Sequence, residues 1–226
     1  MDEAVSPVTL VRLLSWLSPA FPIGAFAYSH GLESAMNDGA IRDRSSLVSW
    51  LTDLIERGSA WNDAALLAEA WRRSVAGLNV TDVAELANAM AGSRERHMET
   101  TLQGEAFQHA VGAWAEQKSP STSPPSVLSY PVAVGVAAAR HEIPLEQALT
   151  AYLHAFASNL IQAAVRLVPL GQREGVAALA AIEPVILATA NRAAASTLED
   201  HLGSCSIFSD IMSMKHESLH SRIFRS

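Results

Sequence analysis

Apolar residues recur along most of this chain at helical spacing. Between residues 43 and 57, Leu47, Trp50, Leu51, Leu54 and Ile55 fall at i, i+3, i+4, i+7 and i+8, the stripe that lines one helix face, and Gly58 predicts its end. Ala60, Ala64, Leu67, Ala68 and Trp71 repeat the stripe in the next segment. Asp82, three places before Glu85, reads as a capping box opening a short helix toward Met90. Ser93 predicts the cap of a longer helix running to about Gln117, with Met98, Leu102, Ala106, Ala110 and Trp114 on its inner face.

Residues 118–126, Lys-Ser-Pro-Ser-Thr-Ser-Pro-Pro-Ser, predict a loop, because each Pro lacks an amide donor and pushes its predecessor out of the helical region. Helix resumes with Pro131 near its start, breaks around His141 to Ile143, and restarts at Pro144, where a missing amide costs nothing. Leu145, Leu149, Tyr152, Leu153, Phe156, Leu160, Ile161, Ala164 and Val168 then mark a central core helix, expected to be the longest and to stop at Pro169 and Gly171. Two Ala-rich helices follow, 172–182 and 184–199, divided at Pro184. No segment alternates as a strand, and no repeat recurs at a fixed period. The expected fold is all-α: a single-domain helical bundle over residues 1–226, with the loop at 118–126 and a mobile C-terminal docking tail at 203–226.

Composition narrows the class. With 49% hydrophobic and 17% charged residues over 226 positions, the chain can bury a sizeable core, which excludes a disordered polar protein. A net charge of -7 argues against gripping nucleic-acid phosphates. The single cysteine, Cys205, rules out an internal disulfide and Cys-rich zinc modules, and fits the reducing cytoplasm. No basic region precedes a long apolar stretch at the N-terminus, and runs such as 132–139 are far shorter than the ~18 residues of a membrane span. The expectation is a soluble cytoplasmic protein with neither nucleic-acid nor membrane partners.

The sharpest chemical motif is His216-Glu217-Ser218-Leu219-His220. It fits H-E-x-x-H, in which two imidazoles one turn apart bind zinc and the carboxylate serves as general base. A third protein ligand is wanted, and the six residues after His220 offer none, so a zinc-dependent hydrolase ranks below a solvated or partner-binding tail. His30, His97, His109, His141, His154 and His201 are scattered, and Cys205 has no evident base, so these read as structural or surface residues. Neither G-x-x-x-x-G-K-[ST] nor G-x-S-x-G occurs, which disfavours intrinsic NTPase or esterase activity. The rigid turn at residues 18–24 leaves Phe21, Ile23 and Phe26 as core plugs or a contact surface. In the tail, Lys215, Arg222 and Arg225 interleave with Leu219, Ile223 and Phe224, a pattern suited to docking.

Four blocks together carry a resemblance. They are Ser18-Pro19-Ala20-Phe21-Pro22-Ile23-Gly24 with Tyr28-Ser29-His30-Gly31-Leu32-Glu33; Ser93-Arg94-Glu95; residues 151–160 (Ala-Tyr-Leu-His-Ala-Phe-Ala-Ser-Asn-Leu) running into 164–172 (Ala-Val-Arg-Leu-Val-Pro-Leu-Gly-Gln); and Lys215-His216-Glu217 with Ser221-Arg222-Ile223-Phe224-Arg225-Ser226. In order and spacing they resemble the urease accessory protein UreF family over nearly the whole chain. Departures from the family pattern are mild: Ala25 where Gly or Ser is frequent, Lys215 where Arg is common, and Ile223 where Leu is common.

The resemblance implies an all-helical, non-enzymatic scaffold that dimerises and works in nickel delivery to urease, with UreD (also called UreH), the GTPase UreG and the urease apoprotein as partners. It implies no tightly bound cofactor, nickel being handled by the assembled complex, and it accounts for the missing phosphate loop, since UreG hydrolyses GTP. Phe26, Tyr28 and Arg222 match positions expected near functional contacts. Lys215, His216, Glu217, Ser221, Phe224 and Arg225 belong on the same reading to a tail that orders against UreD/UreH. A helical interaction module unrelated to urease is the remaining alternative.

Overall fold

The striped segments fold as helices, and a computed structural model describes residues 6–114, 127–167, 170–203 and 206–225. In chain order these are α1 (Pro7–Trp16), α2 (Leu32–Asn37), α3 (Arg44–Arg57), α4 (Ser59–Val75), α5 (Thr81–Ala89), α6 (Arg94–Val111), α7 (Tyr130–Arg140), α8 (Leu145–Leu167), α9 (Gln172–Ala195), α10 (Leu198–His201) and α11 (Ile207–His216). The described residues contain no strand. The fold is all-α. α6 gives way at Val111 to a short 3-10 turn, Gly112–Trp114, before the helix end expected near Gln117, and the loop expected at 118–126, with Val168, Pro169, Cys205 and Ser226, lies outside the described residues.

α4 is the axis of the bundle. It packs along α7 and touches α3, α8 and α9, while α9 lies against α8 and α3. Its side chains from Ala60 to Ala68 are all buried, polar Asn62 and Asp63 included. The α4–α7 contact is close because of Gly135, where a Cβ would lie 2.4 Å from the Leu67 carbonyl oxygen. One contiguous core links Leu51 and Ile55 of α3, Leu67 of α4, Val132 of α7, Leu149 and Leu153 of α8, and Ile182 of α9, and extends to Met212 and Phe224 near the C-terminus.

Several boundaries follow local chemistry as expected. Asp43 caps α3 through a reciprocal box with Ser46, Ser93 accepts from the Arg96 amide at the start of α6, and α7 ends at Arg140 before α8 begins after Pro144. Three expectations are corrected. Asp82 does not cap α5: Val80 holds the N-cap position without a side-chain bond, and Asp82 instead receives the Arg73 guanidinium at 2.5 Å. Pro184 does not divide the Ala-rich region. It sits inside α9, which runs unbroken over 24 residues, against 23 described for α8. Pro184 and Ala180, whose carbonyl loses its partner, are both on the exposed side, where water can satisfy that oxygen.

The third correction decides the site. α6 turns Met98 and Leu102 outward, each 42% exposed, and buries Glu95, Glu99, Thr100, Gln103 and Gly104 together with Phe107. Among the described residues, α9 alone is long and apolar enough to cross a membrane by length and composition; it lies along α8 and α3.

Candidate functional site

Burying the polar face of α6 requires partners, and they converge from distant parts of the chain. At the centre is Arg96, which reaches Asp63 of α4 at 2.6 Å and Glu99, one turn along α6, at 3.0 Å. Asp63 also accepts from the Tyr152 hydroxyl of α8 at 2.9 Å. Glu99 also receives Gln103 Nε2 and His30 Nε2, both at 3.0 Å. Burial opposes charge on Glu99, but the charges and hydrogen bonds of His30 and Arg96 win and push its carboxyl down to about 2. Burial likewise opposes charge on Arg96, and Asp63 and Glu99 overcome it, so the guanidinium stays ionised. Burial raises the Tyr152 and Tyr130 hydroxyls, with Asp63 adding to the effect, and both stay protonated. Two cavities, of about 90 and about 30 Å³, flank this cluster and share His30, Asp63 and Arg96 as lining.

A second layer lies above it and includes the C-terminal segment. α11 packs on α2 and α6. The approach to α2 is tight at Gly31, whose φ of +76° suits glycine and where a Cβ would meet the Ser213 amide nitrogen at 2.7 Å. At the end of α11, His216 is fully buried between two carboxylates, with Nδ1 2.8 Å from Glu95 and Nε2 3.1 Å from Glu33. Glu95 also holds Arg222, while Glu33 accepts from the backbone amides of Ile223 at 2.9 Å and Phe224 at 3.0 Å. Burial works to raise the Glu33 carboxyl. The Ile223 amide, His216 and the Phe224 amide outweigh it and hold the group below the usual carboxylate range. Glu217 caps α6 by accepting from the Arg94 and Glu95 amides at 2.8 and 3.4 Å, and Lys215 pairs with Asp38 at 2.5 Å on the surface.

The chain end then folds onto the turn before α2. The Arg225 amide donates to the Ala27 carbonyl at 2.7 Å, and Arg225 hydrogen-bonds the Tyr28 hydroxyl, whose pKa burial nevertheless raises. Arg166 of α8 lies 5.0 Å over the Phe224 ring and donates to the Phe26 carbonyl at 3.3 Å. The residues singled out from sequence thus come together as two linked groups. Phe26, Tyr28, Phe224 and Arg225 meet at the turn, and Lys215, His216 and Glu217 meet where α11 crosses α2 and α6, with Arg222 joining them through Glu95. Their exposure differs. Phe26 is 60% exposed, and Lys215, Glu217, Ser221, Arg222 and Arg225 also face solvent, whereas Tyr28, His216 and Phe224 point into the chain's own interior.

The zinc geometry does not form. α11 ends at His216, so His220 does not follow one helical turn later; both nitrogens of His216 face carboxylates, and Glu217 is occupied at the α6 cap. Among the described residues no group of three or more His, Cys, Asp or Glu side chains is placed to hold a metal ion. Glu33, Glu95, Asp63, Arg96, Glu99 and His30 carry most of the site; none was named as a site residue from sequence, although His30, Glu33 and Glu95 fall inside the blocks that carry the resemblance. The available signal was the spacing of Glu95, Glu99 and Gln103, which leads in register to Phe107 and marks the same face as buried.

Comparison with known proteins places this architecture. The UreF family model matches residues 41–183. The chain is 51% identical over 226 residues to the urease accessory protein UreF of Mesorhizobium japonicum, covering all of both chains. The chain belongs to the UreF family. It is also 52% identical over 228 residues to the urease accessory protein UreF 1 of Brucella canis and to the urease accessory protein UreF of Brucella ovis, covering 98% of this chain and 99% of each relative. The Mesorhizobium match spans the positions of both layers of the site, whereas the family model covers residues 41–183 and so the α4, α6 and α8 part of it.

Proposed function

We propose that this chain is a scaffold for urease maturation that makes and breaks no bonds itself, assembling with UreD/UreH and the GTPase UreG to assist nickel insertion into the urease apoprotein. Full-length kinship with urease accessory proteins carries the reading. Two exposed apolar strips support a role in protein contact: Val8, Val11 and Leu14 on α1, and Ile207, Phe208, Ile211 and Met214 on α11. The chain works as a homodimer in the cytoplasm, with nickel as cargo of the assembly and no resident cofactor.

The physical logic is linkage. A protein without a nucleotide site can control a GTPase only by binding its conformations with different affinity. On this reading the C-terminal segment is the part that UreD/UreH engages, with Phe26, Arg222 and Arg225 on its outer side. Arg222→Ala is expected to weaken co-purification with UreD/UreH and urease activation together, while far-ultraviolet circular dichroism stays unchanged. Normal capture and activation would remove the segment from the assembly surface, and stoichiometric zinc with hydrolysis lost on Glu217→Gln would restore the hydrolase alternative.

A further inference from the structure

We propose that Glu33 is the positioning residue of the C-terminal strap, residues 221–225, its carboxylate setting which side chains the strap turns outward to a partner. The strap has no helical or strand ladder of its own. Three consecutive amides fix its path instead. Ile223 donates to Glu33 Oε1 at 2.9 Å, Phe224 to Glu33 Oε2 at 3.0 Å, and Arg225 to the Ala27 carbonyl at 2.7 Å. Held this way, the strap buries Phe224, which is 4% exposed, and turns out Ile223, 71% exposed, together with Arg222 and Arg225. Burial of the Phe224 ring is non-directional, whereas bonds to two neighbouring amides set register, since a slip of one residue would point a different side chain inward.

The local backbone delivers this carboxylate. Glu33 lies in the first turn of α2, which follows two successive left-handed residues, His30 at φ +51° and Gly31 at φ +76°, and it is itself 4% exposed. Its two oxygens divide the strap between them: Oε1 takes Ile223, and Oε2 takes Phe224 and also faces His216 Nε2 at 3.1 Å. Both positions must therefore be acceptors. Glutamine has nearly the same shape but only one acceptor oxygen, the other place being an NH2 group. Whichever way that amide is turned, its NH2 group meets a backbone N–H, so one strap amide loses its partner and faces a second donor. This holds whichever nitrogen of His216 carries a proton.

The inference rests on the docking-tail reading for the identity of the partner. In the isotope-labelled full chain, through-hydrogen-bond scalar couplings are expected from the Glu33 carboxyl carbon to the Ile223 and Phe224 amide nitrogens. Their absence, with both amides exchanging as fast as exposed ones, overturns the proposal without need of a variant. Glu33→Gln should lower hydrogen–deuterium exchange protection of amides 223–225 about tenfold, leave the α8 amides of the same sample unchanged, and reduce capture of UreD/UreH. Unchanged protection at Ile223 and Phe224 overturns the proposal, and so does an equal loss in α8, which would make Glu33 a residue of the fold alone. Capture separates the two ideas: a freed strap with normal capture sinks the docking reading, and capture lost with the strap still protected sinks the role given to Glu33.

Discussion

Arg96 is the residue on which the interior charge balance turns. It sits between Asp63 and Glu99 with little exposure, and Tyr152, His30 and Gln103 complete the acceptors' remaining positions. An assembly of this kind gains little over an apolar core of the same shape, but removing one member strands the others. Arg96→Met is therefore expected to cost about 3–5 kcal/mol in urea unfolding, since Asp63 and Glu99 both lose the guanidinium they share. Replacing Asp63 by Asn in that background should recover part of the loss, because one of the stranded charges is gone. None of these roles was legible residue by residue. A buried ion pair has no spacing rule when its partners, such as Arg96 and Asp63, lie on different helices.

At the scale of elements, the apolar period located helices well and faces less well. α3 buries the five residues its stripe names, and α8 buries those of its stripe that are described. In α6 two stripes compete: Met98 and Leu102 on one side, and Glu95, Glu99, Gln103 and Phe107 on the other. The polar stripe goes inward because α4, α8 and α11 supply counter-groups, and the apolar one is left to solvent. Pro184 shows a related limit. A proline usually ends a helix, but here continuous burial of Ile182, Ile186 and Ala190 on the other face holds α9 together across it. Pro184→Ala should restore an amide donor at an exposed position and raise stability by about 1–3 kcal/mol, read as a higher thermal midpoint.

For the whole molecule, carboxylates held low make stability depend on acid. Glu99 has a folded pKa of about 2 against an ordinary 4.5, so its contribution is fully present above the ordinary value and drains away as pH falls toward 2. Glu33 acts in the same direction. Unfolding free energy measured by urea titration should therefore fall steeply below about pH 4.5, and Glu99→Gln should flatten that fall while lowering stability at neutral pH. The sequence by itself determined the all-α class, the limits of α3, α7 and the start of α8, the core of α3, α4 and α8, and the family, because these depend on spacing and on ordered local blocks. Only the tertiary structure decided that the tail's His216 and Phe224 turn inward, that α6 buries its charges, and that H-E-x-x-H does not form a metal pair. Those outcomes depend on which groups from remote segments arrive to neutralise a buried charge, and long-range pairing of that kind leaves no periodic trace along the chain.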